Sequence, residues 1–320
     1  MPAQNAPQRL AADEALRRVT ACMDKALTVS CGVFAEPFAH LQKAKGKMIR
    51  ARLGIYTALG PDKRVPADLP PRLAAVELLH LATLAHDDIM DGSDTRRGQP
   101  SLPSAFGDKT AVLAGDYLLT RCFSLCLSSG APTGTDSFYL SLLSKAMAGL
   151  CRGEMLQQKN RHNLELTVRE YLRIISGKTG ALFALAAMTG AATAGYAERE
   201  RRLFAEFGYR MGMLFQMRDD QIDLRQSAEQ AGKSTARDLA DGVITLPVIL
   251  AFRQRPALRI TVRDGHIKEA LEMIRKNPVD NPVTGLYRQR AGRCLERLQP
   301  PGRADLERLL AQADPAGLPS

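Results

Sequence analysis

Three aspartates at the end of a long apolar stretch are the residues whose spacing most directly suggests chemistry. Asp87, Asp88 and Asp91 end the segment 76–91, which is predicted to be a helix that stops at Gly92. Residues three and four positions apart share a helix face, so these carboxylates lie close together, with Asp88 at the edge, and repel one another. A hard divalent cation relieves this repulsion, and Mg²⁺ binds one or two carboxylates together with phosphate oxygens. The spacing therefore predicts a magnesium site.

The position of the three aspartates favours this interpretation over a solvated acidic surface. They lie at the carboxyl end of the predicted helix, where the helix dipole disfavours negative charge. Arg96 and Arg97 follow a few residues later, and guanidinium groups bind phosphate in a bidentate manner. The segment is therefore expected to bind a metal ion and a phosphate-containing ligand.

A second acidic cluster has the same spacing. Asp219, Asp220 and Asp223 lie at the end of the predicted helix Glu198–Leu224. One such motif is weak evidence, whereas two motifs that each end a long helix form a strong joint signal. We expect the two helix ends to face each other, with two or three Mg²⁺ ions bridging the carboxylates to a diphosphate.

The composition indicates which elements position these clusters. The chain of 320 residues is 45% hydrophobic, has no Trp and contains only 5% aromatic residues. Its core must therefore consist of Leu, Ala, Met, Ile and Val, which suits helices better than sheets, and apolar residues recur mostly at helical spacing. We predict an all-α fold with one domain, 1–320, and mobile tails at 1–9 and 314–320.

The charge and the apolar runs limit the expected partners and location. A net charge of +10, from 44 Lys and Arg against 34 Asp and Glu, favours anionic partners. Aromatic residues that could stack on bases are few and we find no nucleic-acid-binding motif, so nucleic acid is not an expected partner. The first ten residues lack the apolar core of a signal peptide, and the weakly polar run 180–196 is too short and too mild to span a bilayer. We expect a soluble, cytoplasmic protein without stable membrane insertion.

Together these motifs resemble those of the trans-isoprenyl diphosphate synthases, the family of farnesyl, geranylgeranyl and longer polyprenyl diphosphate synthases. The resemblance rests on the first motif with its Arg-Arg-Gly tail, on Phe215–Asp223 (F-Q-x-x-D-D-x-x-D) and on Gly177–Lys178, and it covers roughly residues 40–250. It implies an all-α fold around a deep apolar cavity, and a homodimer. The implied reaction joins isopentenyl diphosphate to an allylic diphosphate through a carbocation and makes a longer all-trans polyprenyl diphosphate.

The resemblance also implies a role for each candidate site residue. The metal ligands would be Asp87, Asp88, Asp91, Asp219, Asp220 and Asp223. The allylic diphosphate would contact Arg96, Lys178 and Lys233, and isopentenyl diphosphate would contact Lys47, Arg50, His80 and Arg97. Thr179 and Gln216 would turn oxygen dipoles toward the carbocation, so Lys178, Thr179 and Gln216 are the implied catalytic residues, and Gln216 would also contact substrate. Apart from the resemblance, the cations could be surface charges and His80 a structural residue.

Two positions depart from the family pattern. Met48 stands where the family's basic loop, G-G-K-R-x-R-P, has an arginine, and Val243 stands where E-G-K-x-T-L-P has a lysine. Losing a charged phosphate contact in a desolvated site weakens rate or affinity by about ten- to hundredfold. A weakly active or non-catalytic partner subunit of a heteromeric prenyl synthase is therefore one alternative. A terpene cyclase is another, although it would give Lys47 and Arg50 no co-substrate to bind.

Product length is expected to depend on the residues about one turn before the first aspartate. In short-chain family members bulky residues close the cavity there, whereas this chain has Ala82 and Thr83. Thr83 shares the face of the first aspartate on an ideal helix, and Leu79, Val76 or Phe123 would form the next floor. The resemblance therefore favours a long-chain polyprenyl product, with geranylgeranyl diphosphate as the alternative.

Overall fold

The computed structural model describes residues 8–28, 32–43, 46–127, 135–225 and 238–315. These residues are mostly helical, which confirms the all-α prediction. The helices are α1 (Ala12–Leu27), α2 (Gly32–Lys43), α3 (Ile49–Thr57), α4 (Leu69–Met90), α5 (Leu102–Phe106), α6 (Asp108–Leu127), α7 (Thr135–Lys159), α8 (Val168–Ile175), α9 (Ala181–Thr193), α10 (Glu198–Arg225), α11 (Leu246–Gln254), α12 (Ala257–Arg263), α13 (Ile267–Lys276), α14 (Pro282–Leu298) and α15 (Arg303–Ala313). Lys233, predicted to contact the allylic diphosphate, lies outside the described residues.

In the described part of the chain, two short antiparallel strand pairs accompany the helices. β1 (Arg9–Ala11) pairs with β2 (Arg64–Pro66), and β3 (Thr95–Arg96) pairs with β4 (Gln99–Pro100). The second pair follows the first aspartate motif directly, so it determines where the two arginines after that motif are placed.

One residue of each predicted tail makes a specific contact, whereas residues 1–7 and 316–320 lie outside the described residues. Arg9 belongs to β1, and its guanidinium forms an ion pair with Asp62 at 3.3 Å. At the other end, the buried carboxylate of Asp314 accepts a hydrogen bond from Arg288 at 2.9 Å. These contacts fix residues that the sequence analysis placed in mobile segments, because a charged partner distant in sequence holds each of them.

The chain divides into two compact units. The first contains Met1–Met147, Leu185–Ala205 and Leu298–Leu306, and the second contains Ala148–Ala184, Glu206–Arg297 and Glu307–Ser320. The first aspartate motif belongs to the first unit and the second motif to the second unit. A single domain over 1–320, and two motifs that face each other, both stay predictions.

Helix α4 is the central helix of the first unit. It packs against α1, α3 and α6, and most of its residues from Leu69 to Ala82 are buried, as expected of a helix that is apolar on nearly all sides. Near its carboxyl end His86 packs on α6, where Gly115 leaves room for the imidazole: a Cβ there would lie 2.2 Å from His86 Nε2. This packing supports a structural role for His86 and fixes the end of α4 that carries the aspartates.

In the second unit, a π-helical segment, Ser176–Gly180, joins α8 to α9. Gly, Ser and Thr interrupt an otherwise apolar helix here, a composition that is typical of a kink. The segment lies close against α7, since a Cβ on Gly153 would come within 2.5 Å of the Lys178 backbone nitrogen. This approach requires glycine and brings Lys178 over the side chains of α7.

Within the described ranges, two helical stretches are long and apolar enough to cross a membrane by length and composition alone, Asp108–Leu127 and Val168–Thr193. The second stretch is longer than the weakly polar run 180–196 seen in the sequence, because the continuous helical segment begins at Val168. Two-thirds (67%) of its apolar window is buried in the protein, as in a core helix, whereas only 33% of the α6 window is buried. Such stretches are weak evidence for a membrane span.

Candidate active site

The first aspartate motif forms the carboxyl end of α4. Asp91 is the residue at which the helix ends, with φ −91° and ψ −2°, and its backbone N–H donates to the carbonyl oxygen of Asp87 at 2.8 Å. Gly92 follows with φ 55°, a left-handed conformation that glycine adopts without steric cost. Asp87 and Asp91 are therefore held one helical turn apart, on the same face of α4.

The second residue of this motif, Asp88, is committed to a contact within the protein. Its side chain is buried, and its Oδ1 accepts hydrogen bonds from Nε (2.9 Å) and a terminal nitrogen of Arg96. Burial raises the pKa of the Asp88 carboxyl, and the Arg96 guanidinium opposes that shift. The strand pair β3–β4, which follows the motif, thus places the Arg96 guanidinium against the second aspartate of the cluster.

His80 lies on α4 among three guanidinium groups of the first unit. Burial is the main cause that holds the pKa of His80 well below its usual range, and Arg50, Arg97 and Arg96 lower it further. The imidazole is therefore neutral at pH 7 and can donate one hydrogen bond without adding charge. The structure brings together three of the four residues predicted to contact isopentenyl diphosphate: His80, Arg50 and Arg97.

The fourth of these residues, Lys47, lies in the loop before α3. Its side chain is exposed, and Met48 follows it in a left-handed conformation (φ 53°, ψ 41°) that offers α3 no side-chain cap. Arg50, in the first turn of α3, is partly buried. Lys47 therefore has the exposure of an ordinary loop lysine, and its predicted role stays a prediction.

The second aspartate motif lies near the end of α10, where Asp220 is buried and bound by two neutral groups. The Tyr171 hydroxyl donates to Asp220 Oδ2 at 2.6 Å, and the Gln216 amide donates to Oδ1 at 2.9 Å. Gln216 Oε1 in turn accepts from the Thr179 hydroxyl at 2.7 Å. Burial raises the pKa of Asp220 to about 6, although both hydrogen bonds lower it. Thr179 and Gln216, two predicted catalytic residues, are thus joined in one hydrogen-bond chain.

The π-helical segment presents Lys178 to an acidic partner. Lys178 Nζ lies 2.9 Å from Glu154 Oε2 on α7, and Gln158 donates to the other Glu154 oxygen at 2.8 Å. A single turn of π-helix inside an α-helix is frequently found at functional sites, because it re-aims a side chain. Lys178 is therefore a partly buried cation with a fixed direction, as binding of a phosphate group requires.

The remaining carboxylates of the two motifs form two pairs. Asp219 and Asp223 are one helical turn apart on α10, as Asp87 and Asp91 are on α4, so each pair shares a helix face. Carboxylate oxygens are hard ligands, and Mg²⁺ commonly takes one or two of them and completes its shell with water and phosphate oxygens. Among the described residues no three His, Cys, Asp or Glu side chains form a metal-binding group, and the second aspartate of each motif has protein partners of its own. The donor set therefore fits Mg²⁺ as pairs of carboxylates.

The residues predicted to control product length differ in burial along α4. Thr83 is partly exposed, whereas Ala82 is fully buried and Leu79 is 1% exposed. Val76 is 2% exposed, and Phe123, on α6, is 37% exposed. Along α4, the partly exposed side chains therefore give way to fully buried ones between Thr83 and Leu79.

Sequence reasoning missed three residues that hold the candidate site residues in place. Glu77 contacts the start of α3, Tyr171 binds Asp220, and Glu154 binds Lys178. A single acid inside an apolar helix, as at Glu77, was a usable signal, because an unpaired buried carboxylate is unfavourable and implies a partner. Tyr171 gave no comparable signal, because its partner is 49 positions away in the sequence.

Most of this chain is similar to one family of proteins. Residues 32–276 match the family described as Polyprenyl synthetase. The chain is 35% identical to heptaprenyl diphosphate synthase component 2 of Geobacillus stearothermophilus, over 72% of this chain and 70% of that protein. It is 36% identical to the short chain isoprenyl diphosphate synthase of Methanocaldococcus jannaschii, over 74% of each. Among solved structures, the polyprenyl synthase of Caulobacter crescentus CB15 complexed with calcium and isoprenyl diphosphate matches with a TM-score of 0.83 at 28% identity, over 94% of each chain.

The all-α fold and the two aspartate motifs thus define a trans-prenyltransferase, an enzyme that joins isopentenyl diphosphate to an allylic diphosphate. The chain belongs to the polyprenyl synthetase family, as the match over residues 32–276 shows. This confirms the class of enzyme predicted from the motifs. The two relatives differ in the product that their names imply, so family membership does not fix the product length.

Proposed function

We propose that this protein is a magnesium-dependent long-chain polyprenyl diphosphate synthase, whose product is longer than farnesyl diphosphate. The observation that carries the product length is the small, partly exposed Thr83 on α4, one turn before Asp87. An aromatic side chain at this point would close the face of α4 about 6 Å from the aspartates, at 1.5 Å per residue. Thr83 leaves this face open.

The Thr83 side chain also suits an apolar substrate chain. Its hydroxyl donates to the carbonyl oxygen of His80 at 2.8 Å, so the polar atom is satisfied within the helix and the methyl group remains for contact. The next closed level of α4 is formed by Leu79 and Val76, which are 1% and 2% exposed. Val76 lies about 16 Å from Asp87 along the helix axis, which is the depth that we assign to the product chain on this helix.

The charged residues of the two units suit ionisation of an allylic diphosphate. Lys178 and Arg96 would stabilise the charge that develops on the departing diphosphate, which is where fixed cations accelerate a reaction most. The Thr179 hydroxyl oxygen and the Gln216 amide oxygen would face the carbocation, and an apolar surround would keep water from it. Arg50, Arg97 and His80 would hold isopentenyl diphosphate.

Two or three magnesium ions are the proposed cofactor. The carboxylate pairs Asp87 with Asp91 and Asp219 with Asp223 would hold the ions, and Asp88 and Asp220 would orient the neighbouring side chains. When bound, Mg²⁺ supplies positive charge to the leaving diphosphate and orients it. Removal of Mg²⁺ with a chelator should therefore abolish turnover.

We further propose that the enzyme acts as a homodimer in the cytoplasm. Val112, Leu113, Phe123 and Leu127 are 37–55% exposed and fall within an arc of about 100° on α6. Asp116 and Thr120 lie within the same arc and are also exposed, and apolar side chains next to polar ones are typical of a surface that another protein covers. A second copy of the chain would bury these four apolar side chains, and it would also account for the apolar character of α6 without a membrane.

The product length is tested by changing Thr83 to phenylalanine. We expect T83F to make a shorter product from isopentenyl diphosphate and an allylic primer, because the ring closes the open face of α4. Product length is measured by chromatography of the dephosphorylated prenyl alcohols. The matched control is T261F, which makes the same substitution on α12 and should leave the product length unchanged. An unchanged product in T83F would contradict this account of the cavity.

A second candidate is a subunit of a heteromeric synthase. Met48 and Val243 replace two cations of the family pattern, and the G. stearothermophilus relative is named as component 2 of its enzyme. Absence of turnover by the purified chain, restored by a second protein, would favour this candidate. Turnover by the chain alone would exclude it.

A further inference from the structure

Glu77 is a buried carboxylate inside the apolar part of α4. Its side chain is 6% exposed, and its Oε1 accepts a hydrogen bond from the backbone N–H of Ala51 at 2.8 Å. The backbone N–H of Arg50 also contacts the carboxylate. Glu77 therefore binds the first turn of α3 from another helix, where it satisfies backbone groups that have no partner within α3.

The start of α3 needs such a contact because its own sequence provides none. The residue before the helix is Met48, in a left-handed conformation and without a side-chain cap. A carboxylate at a helix N-terminus is stabilising, since it accepts from the free N–H groups and complements the helix dipole. Glu77 thus fixes the turn of α3 that carries Arg50.

Arg97 reaches the surroundings of Glu77 from another segment of the chain, the turn between β3 and β4. It occupies the two-residue turn Arg97–Gly98 between β3 and β4 with φ 53°, a conformation uncommon for a residue with a side chain. Its guanidinium lies against Gly46, where a Cβ would come within 2.5 Å of a terminal nitrogen. Glu77 is also close enough to Arg97 to stabilise its charge.

Glu77 consequently links two cations that belong to different segments of the chain. Its carboxylate is within electrostatic reach of Arg50 and Arg97, and His80 follows it by three residues on α4. Two guanidinium groups this close repel each other, and one buried carboxylate compensates part of that repulsion before an anion binds. The cluster is therefore preorganised for a diphosphate, with little rearrangement needed when the ligand arrives.

We propose that Glu77 is the positioning residue of the isopentenyl diphosphate subsite. It places Arg50 through the start of α3 and attracts Arg97 by opposite charge, while Gly46 leaves room for the Arg97 guanidinium. This inference rests on the proposed function, which assigns these cations to isopentenyl diphosphate. Glu77 does not contact the substrate; it acts through its neighbours. The allylic diphosphate, assigned to other cations, should not depend on it.

The test is a set of steady-state measurements on three variants of the full-length protein. In E77Q the amide keeps the shape but loses the negative charge within reach of Arg50 and Arg97, so we expect the KM for isopentenyl diphosphate to rise about tenfold. The KM for the allylic diphosphate should stay within about twofold. G46A should give the same pattern with Glu77 intact, because its methyl group displaces the Arg97 guanidinium.

The control variant is L78A, which removes a fully buried side chain from α4 and should lower the melting temperature while both KM values stay unchanged. If E77Q and G46A behave like L78A, Glu77 has only a structural role and the proposal is wrong. A lower KM for isopentenyl diphosphate in E77Q would also overturn it, since the carboxylate would then only repel the anion.

If E77Q does not fold, the result for G46A decides. If the wild-type protein makes no product, the proposed function fails instead, and calorimetric titration of isopentenyl diphosphate into wild type and E77Q still tests Glu77. Equal affinity of the two proteins would overturn the inference.

Discussion

The two aspartate motifs of this chain have the same spacing, each near the end of a long helix, yet their second aspartates are stabilised by different chemistry. Asp88 is bound by a guanidinium group, that of Arg96, which comes eight positions later in the same unit. Asp220 is bound by a phenol and an amide, Tyr171 and Gln216, which are both neutral.

The difference shows how one sequence pattern can produce two electrostatic environments. A guanidinium partner favours the ionised carboxylate, so it opposes the effect of burial on the pKa of Asp88. At Asp220 burial raises the pKa to about 6, although the two neutral donors, Tyr171 and Gln216, lower it. In the first motif, Asp88 and Arg96 thus form a charge-compensated pair beside Asp87 and Asp91. In the second motif, a hydrogen-bond chain runs from Asp220 through Gln216 to Thr179.

The first prediction concerns Asp87 and Asp219, the first aspartate of each motif, which should have the same role. We expect D87A and D219A each to lower kcat by about a hundredfold to a thousandfold or more, because each removes a carboxylate from a pair assigned to Mg²⁺. Turnover is measured with radiolabelled isopentenyl diphosphate at saturating Mg²⁺. D108A, which removes an exposed aspartate at the start of α6, is the control and should keep full activity. Wild-type turnover in either variant would show that its motif does not bind the metal.

The equivalence of the motifs was visible in the sequence, whereas their difference was not. The apolar periodicity and the position of Gly92 predicted the end of α4, and the spacing of the aspartates predicted two clusters of three carboxylates. The partners of Asp220 and Glu77 depend on contacts over 49 and 26 positions, which no local pattern encodes. Tertiary packing selects such partners, so sequence reasoning could name candidate site residues but not the residues that hold them in place.

The second prediction sharpens the difference between the second aspartates. D88N removes the charge that faces Arg96, so we expect kcat/KM for the allylic diphosphate to fall about ten- to thirtyfold. D220N should cost only about threefold, because the amide oxygen of asparagine still accepts the Tyr171 hydroxyl. The measurement is the ratio of the two losses under identical conditions.

A double-mutant cycle provides the control for this comparison. If Asp88 acts through Arg96, the double variant D88N/R96Q should lose little more activity than R96Q alone. Equal losses in D88N and D220N, or additive losses in the cycle, would mean that the guanidinium partner does not distinguish the first motif.

The third prediction is a small difference in the pH dependence of stability. Because burial raises the folded-state pKa of Asp220 above its ordinary value of 3.8 to about 6, protonation favours the folded protein. The resulting stability is fully present below about pH 4 and is lost as the pH rises through about 6. D220N cannot titrate, so from pH 5 to 7.5 its stability should rise relative to wild type by about 1 kcal/mol, or a few degrees in melting temperature.

The melting temperatures are measured without Mg²⁺, so that metal binding does not stabilise one protein more than the other. D88N serves as the matched variant, since the Arg96 guanidinium opposes the effect of burial on Asp88 and its difference from wild type should vary less over this range. A difference between D220N and wild type that stays constant from pH 5 to 7.5 would show that Tyr171 and Gln216 stabilise the ionised carboxylate as well as a guanidinium does. The two motifs would then be electrostatically alike despite their different partners.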